Sequence, residues 1–150
     1  MAIGFHIFAG TMQQVQNVIE LLLRAGGHLA FWSALHAFPQ GFDPFFTEIQ
    51  QVYEAIGESY DGAWPPADTP DSTSEIEQSG LFDDVRLRRY VWEQPYSADE
   101  YIALLETFSG HISMEPAKRE RLYREIRARL GERQVRRHWD AILHVARRTT

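Results

Sequence analysis

Apolar residues recur along this chain with two different periods, and the switches between them mark the elements. Ile3 to Phe8 (IGFHIF) is a short, almost unbroken apolar run, which reads as a buried strand. Thr11 and Gln14 can form a capping box. Met12, Val15, Ile19, Leu22 and Leu23 then return at helical spacing until Gly26-Gly27 stops the helix. His28 to Leu35 (HLAFWSAL) predicts a second strand, covered on both faces. Asp43-Pro44 predicts a helix start, a capping carboxylate followed by proline at the first helical position. Phe45, Phe46, Ile49, Val52, Tyr53 and Ile56 form its buried face, and Gly57 ends it. The acidic stretch from Glu58 to Thr73 holds Pro65, Pro66 and Pro70 and reads as a loop, after which Ser74 and Glu77 predict a capping box for a short helix ended by Gly80.

Asp84 to Gln94 alternates Val85, Leu87, Arg89 and Val91 against Arg86, Arg88, Tyr90 and Trp92, which is strand periodicity. Ser97 with Glu100 caps a helix carrying Tyr101, Ile102, Leu104, Leu105 and Phe108. A further helix begins near Pro116, shows Leu122, Tyr123, Ile126 and Leu130, and stops at Gly131. Val135 to Arg148 fits both periods. Val135, Arg137, Trp139, Ala141, Leu143 and Val145 suit one face of a strand, whereas Val135, Trp139, Ile142, Leu143 and Ala146 suit a helix; the pattern leans towards strand. The early alternation of strand and helix argues for parallel strands with crossover helices, with the two late strands closing one edge of the sheet.

Composition narrows the class. The 150 residues hold no cysteine, which excludes disulfides and thiolate metal sites, and they supply enough apolar material for one core. No apolar run approaches the roughly 20 residues of a membrane helix, and the N-terminus lacks a basic region followed by an apolar stretch. The expectation is a cytoplasmic protein with no membrane association. Charge is uneven: residues 1–85 carry a net −11 and residues 86–150 a net +5. An arginine-rich end can signal nucleic acid, but Glu120, Glu125 and Glu132 interleave with the arginines. Attraction between opposite charges on one domain is the preferred reading, so nucleic acid is not the expected partner.

One set of segments is familiar. Phe5-His6-Ile7-Phe8, an amphipathic helix ending in Leu23-Arg24-Ala25-Gly26-Gly27, and then HLAFW together resemble the second half of a class I S-adenosylmethionine-dependent methyltransferase. Many members carry an aromatic-His-aromatic segment after their fourth strand, then a helix ending in Leu-Arg-Pro-Gly-Gly and a fifth strand. Ala25 stands here for the usual proline. Gly80-Leu81-Phe82 followed by residues 82–92 resembles the sixth strand and its lead-in. Tyr96 to Tyr101 resembles the substrate-side cap helix of small-molecule methyltransferases of the trans-aconitate type, and Val135 to Arg148 resembles the seventh strand.

This resemblance implies an α/β fold, half of a Rossmann-like sheet with strands equivalent to four, five, seven and six. It also implies a small-molecule substrate and S-adenosylmethionine as cofactor. The family's Gly-x-Gly-x-Gly loop and its first three strands have no counterpart in residues 1–150. The chain therefore reads as a single partial domain lacking the N-terminal cofactor-binding half, binding the cofactor weakly and inactive alone. In such a half-sheet Ile3–Phe8 becomes an open apolar edge, which predicts a homodimer or a complementary chain pairing there. A non-catalytic interaction module, using that edge or the loop around Tyr60 to Pro66, is the alternative function.

The resemblance places His6 as a remnant of the cofactor site. Trp32 and His36, at the carboxyl end of the fifth strand, become candidates for the substrate pocket, because open α/β sheets bind ligands there. His111, after Gly110, reads as a solvated loop residue. His138 and His144 lie six apart, roughly 20 Å along an extended strand, too far to share a metal ion, so no metal is expected. No residue stands out as a catalytic acid, base or nucleophile. Methyl transfer asks mainly for alignment of the acceptor with the methyl group.

Overall fold

A computed structural model describes residues 24–59, 62–66 and 71–149. The expected strand over Ile3–Phe8, its open edge, the helix after Thr11, and His6 lie outside the described residues. The chain contains strand β1 (His28–Ala37), helices α1 (Phe45–Glu48), α2 (Gln50–Ala55) and α3 (Thr73–Gln78), and strand β2 (Phe82–Tyr96). Helices α4 (Ala98–Leu105), α5 (Ser109–Ser113) and α6 (Pro116–Leu130) and strand β3 (Val135–Arg148) follow. It is a mixed α/β fold with an antiparallel three-stranded sheet of order β1-β3-β2 and flanking helices.

The sequence punctuation explains most boundaries. The Asp43 carboxylate accepts the Phe45 N–H at 3.0 Å, opening the helical stretch that buries Phe45, Phe46, Ile49, Val52 and Ile56. Gly57 closes it with a φ of +72°, a conformation that costs glycine little. Ser97 accepts the Glu100 N–H at 3.4 Å while the Glu100 carboxylate accepts the Ser97 N–H at 2.7 Å, so the expected capping box forms. Pro116 opens α6, where the Glu115 carboxylate accepts the N–H groups of Ala117 and Lys118 at 3.1 and 3.3 Å. Ser97→Ala removes both the hydroxyl acceptor and the carboxylate's second partner. It is expected to lower stability by about 1 kcal/mol, read as a shift of the urea midpoint at unchanged slope.

Two local expectations are corrected, and the ambiguity at residues 135–148 is resolved. The Ser74–Glu77 box does not form: the Asp71 carboxylate takes the Thr73 N–H at 2.9 Å, so α3 starts earlier and Ser74 is already inside it. Residues 135–148 form the strand towards which their pattern leans. Their alternation buries Asp140, Ile142, His144 and Ala146 on one face. Last, β1 is not covered on both faces, with Trp32 62% and Leu35 45% exposed. It stands at one end of the described strand order, with β3 as its neighbour.

The cross-strand pairs fix the register of β2 on β3. Asp83 pairs with Arg147 at 2.9 Å, Arg89 with Asp140 at 2.6 Å and Glu93 with Arg136 at 3.5 Å, as the antiparallel arrangement requires. Two compact units are present, residues 24–32, 71–88 and 143–149, and residues 33–59, 62–66 and 89–142. The first has a small core of Ile76, Phe82 and Ala146, supported by Leu29, Phe31, Leu81 and Val85. The second has the larger core. Phe45, Phe46, Ile49 and Val52 from α1 and α2 meet Tyr101, Ile102 and Leu105 from α4, Leu122, Ile126 and Leu130 from α6, and Val135 from β3. Among the described residues no helix is long and apolar enough to cross a membrane.

Candidate functional site

The larger unit contains a cavity of about 450 Å³, a size typical of small-molecule sites. Its walls come from distant parts of the sequence. β1 and the turn after it supply Leu35, His36 and Phe38, and α1 and α2 supply Phe46, Ile49, Gln50 and Tyr53. Glu58, Ser59, Trp64 and Pro66 follow; α4 and its exit give Tyr101, Leu105 and Phe108; α5 gives His111 and β3 gives Arg137. Much of this surface is aromatic and self-supporting. Phe38 lies 4.0 Å from the ring of His36, 5.1 Å from Phe42 and 4.8 Å from Trp64, and Phe46 meets His36 edge-on at 4.3 Å. Rings in such contacts add specific attraction to their buried area.

Against this apolar wall stand three polar side chains with buried atoms that have no hydrogen-bond partner among the described residues. They are His36 through Nε2, His111 through Nδ1 and Arg137 through Nε. Desolvation lowers the His36 pKa to about 3, with Arg137 and then His138 adding repulsion, so its imidazole is neutral at physiological pH. His111 is lowered by the same two causes, desolvation and then Arg137. Its Nε2 is hydrogen-bonded to the Tyr53 hydroxyl at 2.8 Å. Burial raises the pKa values of Tyr53 and Tyr101, keeping both phenols protonated.

Arg137 is the unusual member. It is only 6% exposed, and burial pulls its pKa below the ordinary arginine value. Its guanidinium lies 4.3 Å from the Trp139 ring centroid and 5.5 Å from that of Phe108, and the Tyr101 hydroxyl partly offsets the effect of burial on it. Cation–π contacts of this kind return about 0.5–2 kcal/mol each, whereas a buried charge lacking a counter-ion costs several. None of the ion pairs among the described residues includes Arg137. Glu58, the carboxylate in the cavity wall, is engaged by Lys118 at 2.8 Å.

The structure thus places His36 in the cavity wall. Trp32 belongs to the smaller unit, 62% exposed, and is not part of that wall. His111 is not a solvated loop residue: it sits in α5, half-buried and bonded to Tyr53. Arg137 escaped the sequence reading, although a visible signal existed. It occupies an apolar register position between Val135 and Trp139, where a solvated arginine does not belong.

In the smaller unit His144 is buried, stacked on Phe31 at 4.8 Å, and its Nε2 lies 3.3 Å from the Asp71 carboxylate. In the larger, His138 lies 3.7 Å from Glu93. Among the described residues, no three His, Asp or Glu side chains gather into a metal site.

S-adenosylmethionine finds no counterpart to its usual cradle among the described residues. Gly26, Gly41, Gly57, Gly80 and Gly131 all have positive φ and end helices or form isolated turns, and no close neighbour stands where a Cβ would project, apart from the Lys118 ammonium beside Gly57. No protein-family model and no curated protein matches this chain.

Proposed function

We propose that this chain is the acceptor-side part of a class I S-adenosylmethionine-dependent methyltransferase fold acting on a small molecule. The observation that carries the reading is the ring-lined cavity with unpartnered polar atoms of His36, His111 and Arg137 in its wall. A buried polar atom without a partner costs free energy, and a bound ligand is one way to recover it. The strand order β1-β3-β2 supports the fold half of the proposal, since strands five, seven and six of that sheet are ordered in this way. The described residues hold and orient the acceptor, while the cofactor is assigned to none of them. A second reading, a non-catalytic interaction module, has Tyr90 and Val91 in its favour. They are neighbours on β2, on opposite faces, and are 49% and 65% exposed.

Hydrogen exchange with and without ligand tests the proposal. Small planar compounds are expected to protect amides in α1, α2 and α4, and S-adenosylmethionine alone to protect none at micromolar concentration. Micromolar affinity for the cofactor overturns the assignment to the acceptor side. A coding segment for Gly-x-Gly-x-Gly beside this one, in frame or shifted, is expected in the genomic DNA; its absence removes the methyltransferase reading and leaves the interaction module.

A further inference from the structure

We propose that the cavity of the larger unit binds a planar aromatic molecule bearing a single carboxylate, with Arg137 as the counter-ion. The inference rests on reading that cavity as a ligand site and names the ligand's chemical class. Two features define the class. Phe38, Phe46, Trp64 and Phe108 present ring surfaces that match a flat, apolar body. The charge balance of the wall defines the rest: Arg137 is the only permanent cation among the described lining residues, and the one lining carboxylate, Glu58, is held by Lys118.

One negative charge is therefore matched, and two or three are not. A tricarboxylate or a phosphate dianion would bring further charges among aromatic rings with no cation to meet them. A carboxylate also fits the donor geometry, because a guanidinium presents parallel N–H groups to both oxygens of a planar acid. The Nε of Arg137 is buried, in a residue only 6% exposed, with no acceptor among the described residues, so it is one donor already available. The aromatic contacts with Trp139 and Phe108 hold the guanidinium in place without neutralising it. The free ring nitrogens of His36 and His111 give the ligand's polar substituents two further hydrogen-bonding points.

Calorimetric titration with benzoate, benzamide, citrate and inorganic phosphate tests this on the full chain, alongside Arg137→Met and Arg137→Lys variants. Benzoate is expected to bind about ten- to a hundredfold more tightly than its neutral isostere benzamide, as a charged hydrogen-bonded pair requires. Citrate and phosphate are expected not to displace it. In Arg137→Met the preference disappears while benzamide binding is retained. Because that variant removes a buried charge without a carboxylate partner, its thermal midpoint is expected to stay level or rise. Arg137→Lys keeps the charge but loses the fork, and retains part of the preference.

Equal affinity for benzoate and benzamide, or a preference that survives in Arg137→Met, overturns the proposal while leaving a ligand site. Displacement by citrate or phosphate overturns the single-carboxylate class. Failure of both benzoate and benzamide to bind overturns the reading of the cavity as a ligand site as well. Should Arg137→Met not fold, Arg137→Lys decides, since an unchanged benzoate preference there rules out fork recognition.

Discussion

Arg89→Ala is expected to remove about 3 kcal/mol of unfolding free energy, among the largest effects of any single exposed-residue substitution in this chain. Arg89 on β2 is nearly half exposed, with 46% of its side chain accessible, yet its partner Asp140 on β3 is 2% exposed. The guanidinium donates from Nε to one carboxylate oxygen at 2.8 Å and from Nη2 to the other at 2.6 Å. Truncation removes both charge-assisted bonds from a carboxylate on the buried face of the central strand, and a carboxylate there cannot turn to bulk water.

The reverse substitution is less costly, because Arg89 can turn outward into solvent once Asp140 is neutral. The two single variants are therefore expected to be unequal. Arg89→Ala loses more stability than Asp140→Asn, and the double variant is more stable than the sum of the two losses allows. For a chain of this length the Arg89→Ala loss corresponds to about 6–12 °C in the thermal midpoint. Losses that are equal and below about 1 kcal/mol, as for an ordinary surface pair, would show that the bidentate contact does not carry the sheet.

Local chemistry made the frame readable. Asp43-Pro44, Ser97 with Glu100, and Glu115-Pro116 each satisfy orphan N–H groups at a helix start, and short-range bonds of this kind depend on neighbours in sequence. The ambiguity at Val135–Arg148 had a different origin. In this strand seven of the fourteen residues are polar or charged, and Arg137, Asp140 and His144 among them are buried, so the apolar–polar alternation that separates strand from helix is blurred. Only pairing with β1 and β2 resolves it. Ser74 failed as a cap because Asp71, three residues earlier, competes for the same turn, and both residue types are good acceptors.

The candidate site was legible only in fragments. His36 could be named from its place near the carboxyl end of β1. The cavity around it needs Phe46, Trp64, Tyr101, His111 and Arg137, drawn from five segments whose meeting is decided by the packing of the larger unit. Arg137 was masked by its surroundings in the sequence: it follows Arg133 and Arg136, and the whole region reads as a basic, solvated end. Arg136 is exposed and Arg137 is buried, and that difference is set by one residue of strand register. His111 was hidden by Gly110, which suggested a loop, whereas its partner Tyr53 lies 58 residues away.

Acid lability beginning well above the carboxylate range is the second large effect expected, and its sign follows from His36. The folded pKa of about 3 lies below the ordinary histidine value of 6.5, so between these limits the unfolded chain takes up a proton that the folded chain excludes. Stability is thus unaffected above pH 6.5 and falls as the pH drops, by at most about 1.4 kcal/mol per pH unit for this one group. By pH 3 the accumulated loss is on the order of 4 kcal/mol. His111, also lowered, acts in the same direction. Exposed carboxylates act later. Asp71 and Glu100, whose pKa values are lowered chiefly by hydrogen bonds from Thr73 and Ser97, lose stabilisation only below their unfolded values of 3.8 and 4.5. The window from pH 6.5 to 4.5 therefore isolates the histidines. His36→Phe keeps a ring against Phe38 and Phe46 and removes the titration. Its urea midpoint is expected to change much less than that of the parent chain between pH 6.5 and 4.5, and an unaltered slope in that window would place the acid sensitivity elsewhere.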